Sequence, residues 1–174
     1  PSPPPVDGRA LATSWLVDAL RADGHVVRVF NTHISELAKV RSCFGAAMAM
    51  LFGTRPDRVI VVASGGSGLA IESVPLLVAR LRGIPAAMTH HSARYVRERS
   101  WLFRFALAAG GPRLRHAVLD DAMGAEMAEA YGIDRRHIVV VDNAGLMPKP
   151  NCVETVAHRD GVVHLSNLSV AKGL

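Results

Sequence analysis

The chain has 174 residues, enough for one domain with a sizeable core. Hydrophobic residues make up 49% of it and aromatics 5%, which excludes a disordered chain and favours a parallel α/β domain over an aromatic-rich β-sandwich. A net charge of +5 attracts phosphates, nucleic acid or an anionic membrane, but it equally suits a solvated basic surface, so charge alone selects no partner.

In chain order, Ser2 to Asp7 is a Pro-rich lead-in that reaches Gly8. An amphipathic helix follows from about Ala10 to Ala22, with Leu11, Trp15, Leu16, Ala19 and Leu20 on one face and Gly24 at the C′ position. Val26 to Phe30 reads as a buried strand and Asn31 to Glu36 as a polar loop. Ala38 to Phe52 is a second helix, closed by Gly53. Val59 to Ala63 is an unbroken β-branched strand ending in Ser64-Gly65-Gly66-Ser67-Gly68. A helix from Ile71 to Arg82, a strand from Ile84 to Met88 and the strand end Thr89-His90-His91-Ser92 come next. One long helix is expected from Ala93 to Ala109, broken by Gly110-Gly111-Pro112. His116 to Leu119 and Ile138 to Val141 read as strands around a helix from Ala122 to Tyr131, and Val162 to Leu165 as a last strand. This alternation predicts a doubly wound, Rossmann-like parallel sheet.

Cys43 and Cys152 have no CxxC and no Cys/His cluster around them, which argues for reduced thiols rather than a disulfide framework or zinc site. No apolar run approaches the roughly 18 residues of a membrane span, and no signal peptide is visible, so the expectation is a cytoplasmic protein. The chain opens on Pro1 with no leading strand, and Val162 to Leu165 looks like the start of something larger. Both ends predict a fragment.

Ligands of open α/β sheets bind beyond the carboxyl ends of the strands, at loops entering helices. Three segments qualify. Pro3 to Arg9 offers Gly8 and a helix N-terminus to an anion, though a Pro-stiffened entry loop is the better reading of these residues alone. Gly65 to Gly68 fails G-x-G-x-x-G at Ile71 and lacks the Gly-Lys-Ser/Thr of a P-loop, leaving a flexible turn or a substrate-lining loop. His90 and His91 can hydrogen-bond sugar hydroxyls or phosphate, but neighbours on a strand point to opposite faces, so one of the two lines a site.

The helix from Ala93 mixes Arg94, Arg97, Arg99 and Arg104 with Tyr95, Trp101, Phe103 and Phe105. That pattern suits an anionic bilayer, stacking on nucleic acid, or an amphipathic core helix with a charged outer face, the favoured reading. Asp120-Asp121 reads as helix capping rather than a catalytic carboxylate pair.

Taken in order, these pieces resemble the family-4 glycosyltransferases, retaining enzymes of the GT-B fold. The Gly8 loop leads to Leu20-Arg21-Ala22-Asp23-Gly24-His25-Val26-Val27, similar to the family's "L…GH-V-V" segment. Gly65 to Leu69, Arg82-Gly83-Ile84-Pro85 and His90-His91-Ser92 follow in the family's order. Tyr131-Gly132-Ile133 with Ile138 to Asn143 resembles "yG…ki-vvpNg", and Val163 to Leu174 resembles the "vGRl…KGl" opening of the nucleotide-sugar domain.

The resemblance implies the N-terminal half of a GT-B fold, with residues 1–160 as the acceptor-side domain and 161–174 as the start of a truncated donor domain. His91 matches the family's active-site histidine. Gly8, Arg9, Gly66, Ser67, His90, Asn143 and Lys172 match substrate-binding positions, Lys172 being the diphosphate-binding lysine. Asn167 stands where the family has that lysine's partner Arg, and Asp142 and Ala144 replace the neighbours of Asn143. The implied reaction moves a sugar from a nucleotide-sugar to an acceptor hydroxyl of a sugar, lipid or polysaccharide. No metal or other cofactor and no nucleic acid takes part, and peripheral contact with the inner face of an anionic membrane is compatible with it. The fragment alone is expected to be inactive. The alternative is a stand-alone Rossmann-like module binding a nucleotide or metabolite.

Overall fold

The computed structural model of the protein describes residues 8–31 and 35–142. Four short segments become strands: β1 (Val59–Ala63), β2 (Ala86–His90), β3 (Arg115–Val118) and β4 (Ile138–Val140). They form one sheet in the order β1-β2-β3-β4, with every pair parallel. Parallel neighbours need crossover connections, and helices supply them. α1 (Gly8–Ala22) and α2 (Glu36–Phe52) precede the sheet. α3 (Gly68–Leu81) joins β1 to β2, and α4 (Arg94–Arg97) with α5 (Trp101–Gly110) joins β2 to β3. α6 (Asp121–Tyr131) and the 3-10 turn Arg135–His137 lead into β4. The fold is the expected Rossmann-like α/β class.

Alternation along the strands divides the sheet into two faces. Val61, Ala63, Met88 and Val118 point into the main core, against Leu69 and Leu76 of α3, Phe103 and Ala106 of α5, and Met123 and Met127 of α6. Ala47 and Met50 anchor α2 to Val78, Ala79 and Ile84 in a second cluster beside α3. On the opposite face, Ala12, Thr13 and Leu16 of α1 close a cavity over Val62, Thr89, Ala117 and Val141. The packed line of α1 thus runs through Ala12, 2% exposed, whereas Leu11 of the expected apolar face is 39% exposed.

Helix ends follow local chemistry. Ser35 caps α2 by accepting from Ala38 N–H, and Asp120 caps α6 by accepting from Met123 N–H at 2.7 Å. Gly24 (φ 85) and Gly132 (φ 68) provide the left-handed exits after α1 and α6.

Three expectations are corrected. Val26 to Phe30 is not a strand: Val26 is fully exposed and Val29 53% exposed. A β-branched run becomes a strand only where a neighbour supplies a ladder. Here the Arg21 guanidinium donates to Val27 O at 3.4 Å, and that of Arg28 lies 4.9 Å from the Phe30 ring centroid. The strand placed at Ile84 to Met88 begins later, at Ala86. Ile84 N–H closes α3 by donating to Ala79 O at 2.8 Å, and Pro85 has no N–H to donate. The long helix from Ala93 breaks at Glu98 to Ser100, where Arg99 turns to φ 49. The break lets Tyr95 and Phe103 approach one another to 5.0 Å and both pack on His90. The strand expected at Val162 to Leu165 and the boundary at residue 160 lie outside the described residues.

Candidate functional site

Because the strands are parallel, their carboxyl ends share one edge. The register pairs Ala63 with His90, so the turn Ser64 to Ser67 and the segment His91-Ser92 leave the sheet side by side. Neighbouring strands lie roughly 4.8 Å apart, so the two segments start next to one another. Thr89 pairs with Ala117, bringing Leu119 level with His91.

His90 and His91 part at this edge. His91 turns to the α1 side and, with Thr13, Leu16, Thr89 and Leu119, lines a cavity of about 30 Å³. Thr89 Oγ1 is buried there with no hydrogen-bond partner among the described residues. That volume holds about one water molecule. Gly8 and Arg9 lie one turn ahead of Ala12 and Thr13, at the head of α1.

His90 turns the other way and is 1% exposed. Its Nδ1 lies 2.6 Å from Tyr95 Oη and its Nε2 3.0 Å from His116 Nδ1. Phe103 meets its ring edge-on at 5.5 Å. Burial, and then the neighbouring His116 and His91, hold the His90 pKa well below the ordinary value. Burial and then His137 lower that of His116 to about 4. Burial, then Glu72 and Tyr131, raise that of Tyr95. All three groups are therefore neutral at pH 7. A chain in which Tyr95 Oη donates to His90 Nδ1, and His90 Nε2–H donates to His116 Nδ1, satisfies each of them. His90 is expected among the substrate-binding residues; its side chain is buried with both ring nitrogens engaged, and the residue also borders the cavity that His91 lines.

The glycine turn is held from beneath. Lys39 of α2, 6% exposed, reaches Glu72 of α3, 2% exposed, with Nζ 2.9 Å from Oε1. That contact is one of charge, since Oε1 lies outside hydrogen-bonding geometry. Lys39 Nζ also donates to Ser64 Oγ, and Ser64 N–H donates to Glu72 Oε2 at 3.1 Å. A Cβ on Gly68 would meet Lys39 Nζ and Ser64 Oγ, so a larger residue there would have to displace the Lys39 and Ser64 side chains from their contacts. Above this support Gly65 (φ 77) and Gly66 (φ 56) take left-handed conformations. Gly66 and Ser67 are exposed, and the Ser67 hydroxyl makes no capping bond to α3.

No protein-family model, curated protein or solved structure matches this chain. The reading of the edge therefore rests on its own residues. The register brings Ser64, at the start of the glycine turn, level with His91, and Thr13 and Leu16 of α1 border the same small cavity as His90 and His91, with the His90 side chain itself buried. Asn143 and Lys172 lie outside the described residues. Among the described residues no group of three His, Cys, Asp or Glu side chains is placed to hold a metal ion. No helix among them is long and apolar enough to cross a membrane.

The sequence reading passed over Lys39, Ser64 and Glu72. The signal was present for two of them. Lys39 falls in the apolar line Lys39, Cys43, Ala47, Met50, and Glu72 in the line Leu69, Glu72, Ser73, Leu76. A charge inside a buried helical stripe calls for a partner on another element.

Proposed function

We propose that this chain forms the acceptor-side domain of a retaining glycosyltransferase of the GT-B type, similar to family 4. The observation that supports the reading is the placement of His91: it leaves the sheet at the edge from which the Gly65 to Gly68 turn also leaves, and it borders a cavity with Thr13 and Leu16 of α1. In this reading the nucleotide-sugar is a substrate and no resident cofactor takes part. The bond from the anomeric carbon to the diphosphate breaks, and the acceptor oxygen bonds to that carbon on the same face. The acceptor proton passes to the departing diphosphate oxygen. His91 hydrogen-bonds the sugar at the reacting centre, Gly8 and Arg9 bring α1 N–H groups toward the diphosphate, and Gly66 and Ser67 line the acceptor wall. Lys172 and Asn143 extend the donor contacts. Most of the nucleotide pocket would come from a second domain, so residues 1–174 alone have little or no transferase activity.

The test is sugar transfer from a panel of nucleotide-sugars by the full-length product of the gene, with anomeric configuration read by NMR. Retained configuration is expected, with His91→Ala lowering turnover about a hundredfold at unchanged circular dichroism. Reading the gene past codon 174 is the quicker check: an open frame carrying the family's E-x7-E carboxylates supports the proposal, and a stop directly after Leu174 counts against it. The exposed Gly66 and uncapped Ser67 at the head of α3 favour one other reading, a stand-alone binder of a nucleotide or small metabolite. Nucleotide binding without transfer, indifferent to His91→Ala, would select it.

A further inference from the structure

On either side of the break at Arg99, α4 and α5 expose arginines and large aromatics on their outer surface. Trp101, Arg104, Phe105 and Ala108 fall within one stripe of α5 by helical spacing, and all are exposed, Trp101 by 73% and Phe105 by 53%. Phe103, between them in sequence, is fully buried, so the stripe is not part of the core. Arg94, Arg97 and Arg99 extend it across the break, all exposed. Arg94 pairs with Glu98 at 2.8 Å and Arg97 with Glu126 at 3.2 Å. Burial raises the Tyr131 pKa, and the Ser100 backbone and then the charges of Arg104 and Arg99 draw it back. Arg104 also borders a shallow groove of about 410 Å³, shared with Leu107, Ala130 and Tyr131.

We propose that this α4–α5 surface lies on an anionic lipid bilayer, with Trp101 and Phe105 entering the interface and Arg99 and Arg104 pairing with lipid phosphates. An exposed tryptophan and phenylalanine one turn apart, flanked by arginines, suit a boundary that is apolar on one side and negatively charged on the other. Single-stranded nucleic acid suits it less well: two of the four arginines already hold glutamates, and the aromatic stripe lies along the outside of a helix rather than in a groove that tracks a phosphate backbone. Helices α4 and α5, of 4 and 10 residues, are too short to span a bilayer, so the contact is peripheral. The inference stands apart from the transferase reading and is tested without any donor.

The experiment is flotation with vesicles of phosphatidylcholine alone and of phosphatidylcholine with phosphatidylglycerol. Fluorescence is recorded for the parent and for Trp101→Phe, so that the Trp101 signal is read by difference. Binding to the anionic vesicles only is expected, with a blue shift of Trp101. Trp101→Ala/Phe105→Ala weakens partitioning at least about tenfold. Arg99→Gln/Arg104→Gln weakens it roughly thirtyfold, from about fivefold per basic residue at an anionic surface. These side chains are exposed, so both variants keep the wild-type melting temperature. Absence of flotation overturns the proposal. So does wild-type binding by the aromatic variant, which would reduce the effect to diffuse charge. Stronger binding to a single-stranded oligonucleotide that displaces the vesicles would assign the surface to nucleic acid.

Discussion

Replacing Lys39 by Met is the sharpest test of how the glycine turn is supported. Lys39 Nζ stands 2.9 Å from Glu72 Oε1, with side-chain exposures of 8% and 2%. At an effective dielectric constant of roughly 20 the attraction at that distance is about 6 kcal/mol, part of which is offset by desolvation of the two charges. Lys39→Met leaves the Glu72 carboxylate buried with only the Ser64 N–H for company. The expected loss is about 3–5 kcal/mol of unfolding free energy. Glu72→Leu strands the ammonium and costs a similar amount. The double variant Lys39→Met/Glu72→Leu removes both charges and costs much less than the sum, so the coupling from the double-mutant cycle exceeds about 2 kcal/mol. Urea denaturation followed by circular dichroism measures all three. A loss under about 1 kcal/mol for Lys39→Met, or additive single variants, would refute the buried pair as the support of the turn.

Two further outcomes follow from named contacts. His90 and His116 are neutral in the fold but protonate in the unfolded chain near pH 6.5, so between that pH and about 4 the unfolded state binds more protons. Stability therefore falls as pH drops through this window. His116 contributes up to about 3 kcal/mol of the loss, and a melting series from pH 7 to 4.5 should be shallower for His116→Asn than for the parent. Asp120→Ala removes the acceptor for Met123 N–H at the head of α6 and costs about 1 kcal/mol, read as a shift in urea midpoint at unchanged slope.

Much of the candidate edge was legible from residue types alone. Gly65 and Gly66 close a β-branched run and read as a strand-to-helix turn, and the structure has them there with positive φ values. The two histidines at the end of β2 could be narrowed to one by strand alternation. That the His90 side chain is buried depends on other elements, because its ring is claimed by Tyr95, five residues on, and by His116, on another strand. The lysine beneath the turn was not found because Lys39 and Ser64 are 25 residues apart and meet only when α2 packs beside α3.

By itself, the sequence determined the α/β class, most of the helices and parallel strands in their order, and most helix ends. These depend on hydrophobic period, glycine and capping chemistry, which act over a few residues. Tertiary structure decided what depends on partners distant in the chain. Val26 to Phe30 lost its strand for want of a ladder, the helix after Ala93 bent to pack two aromatics on His90, and Lys39 found its counter-charge on α3. Burial converts such encounters into energy, and no local pattern records them.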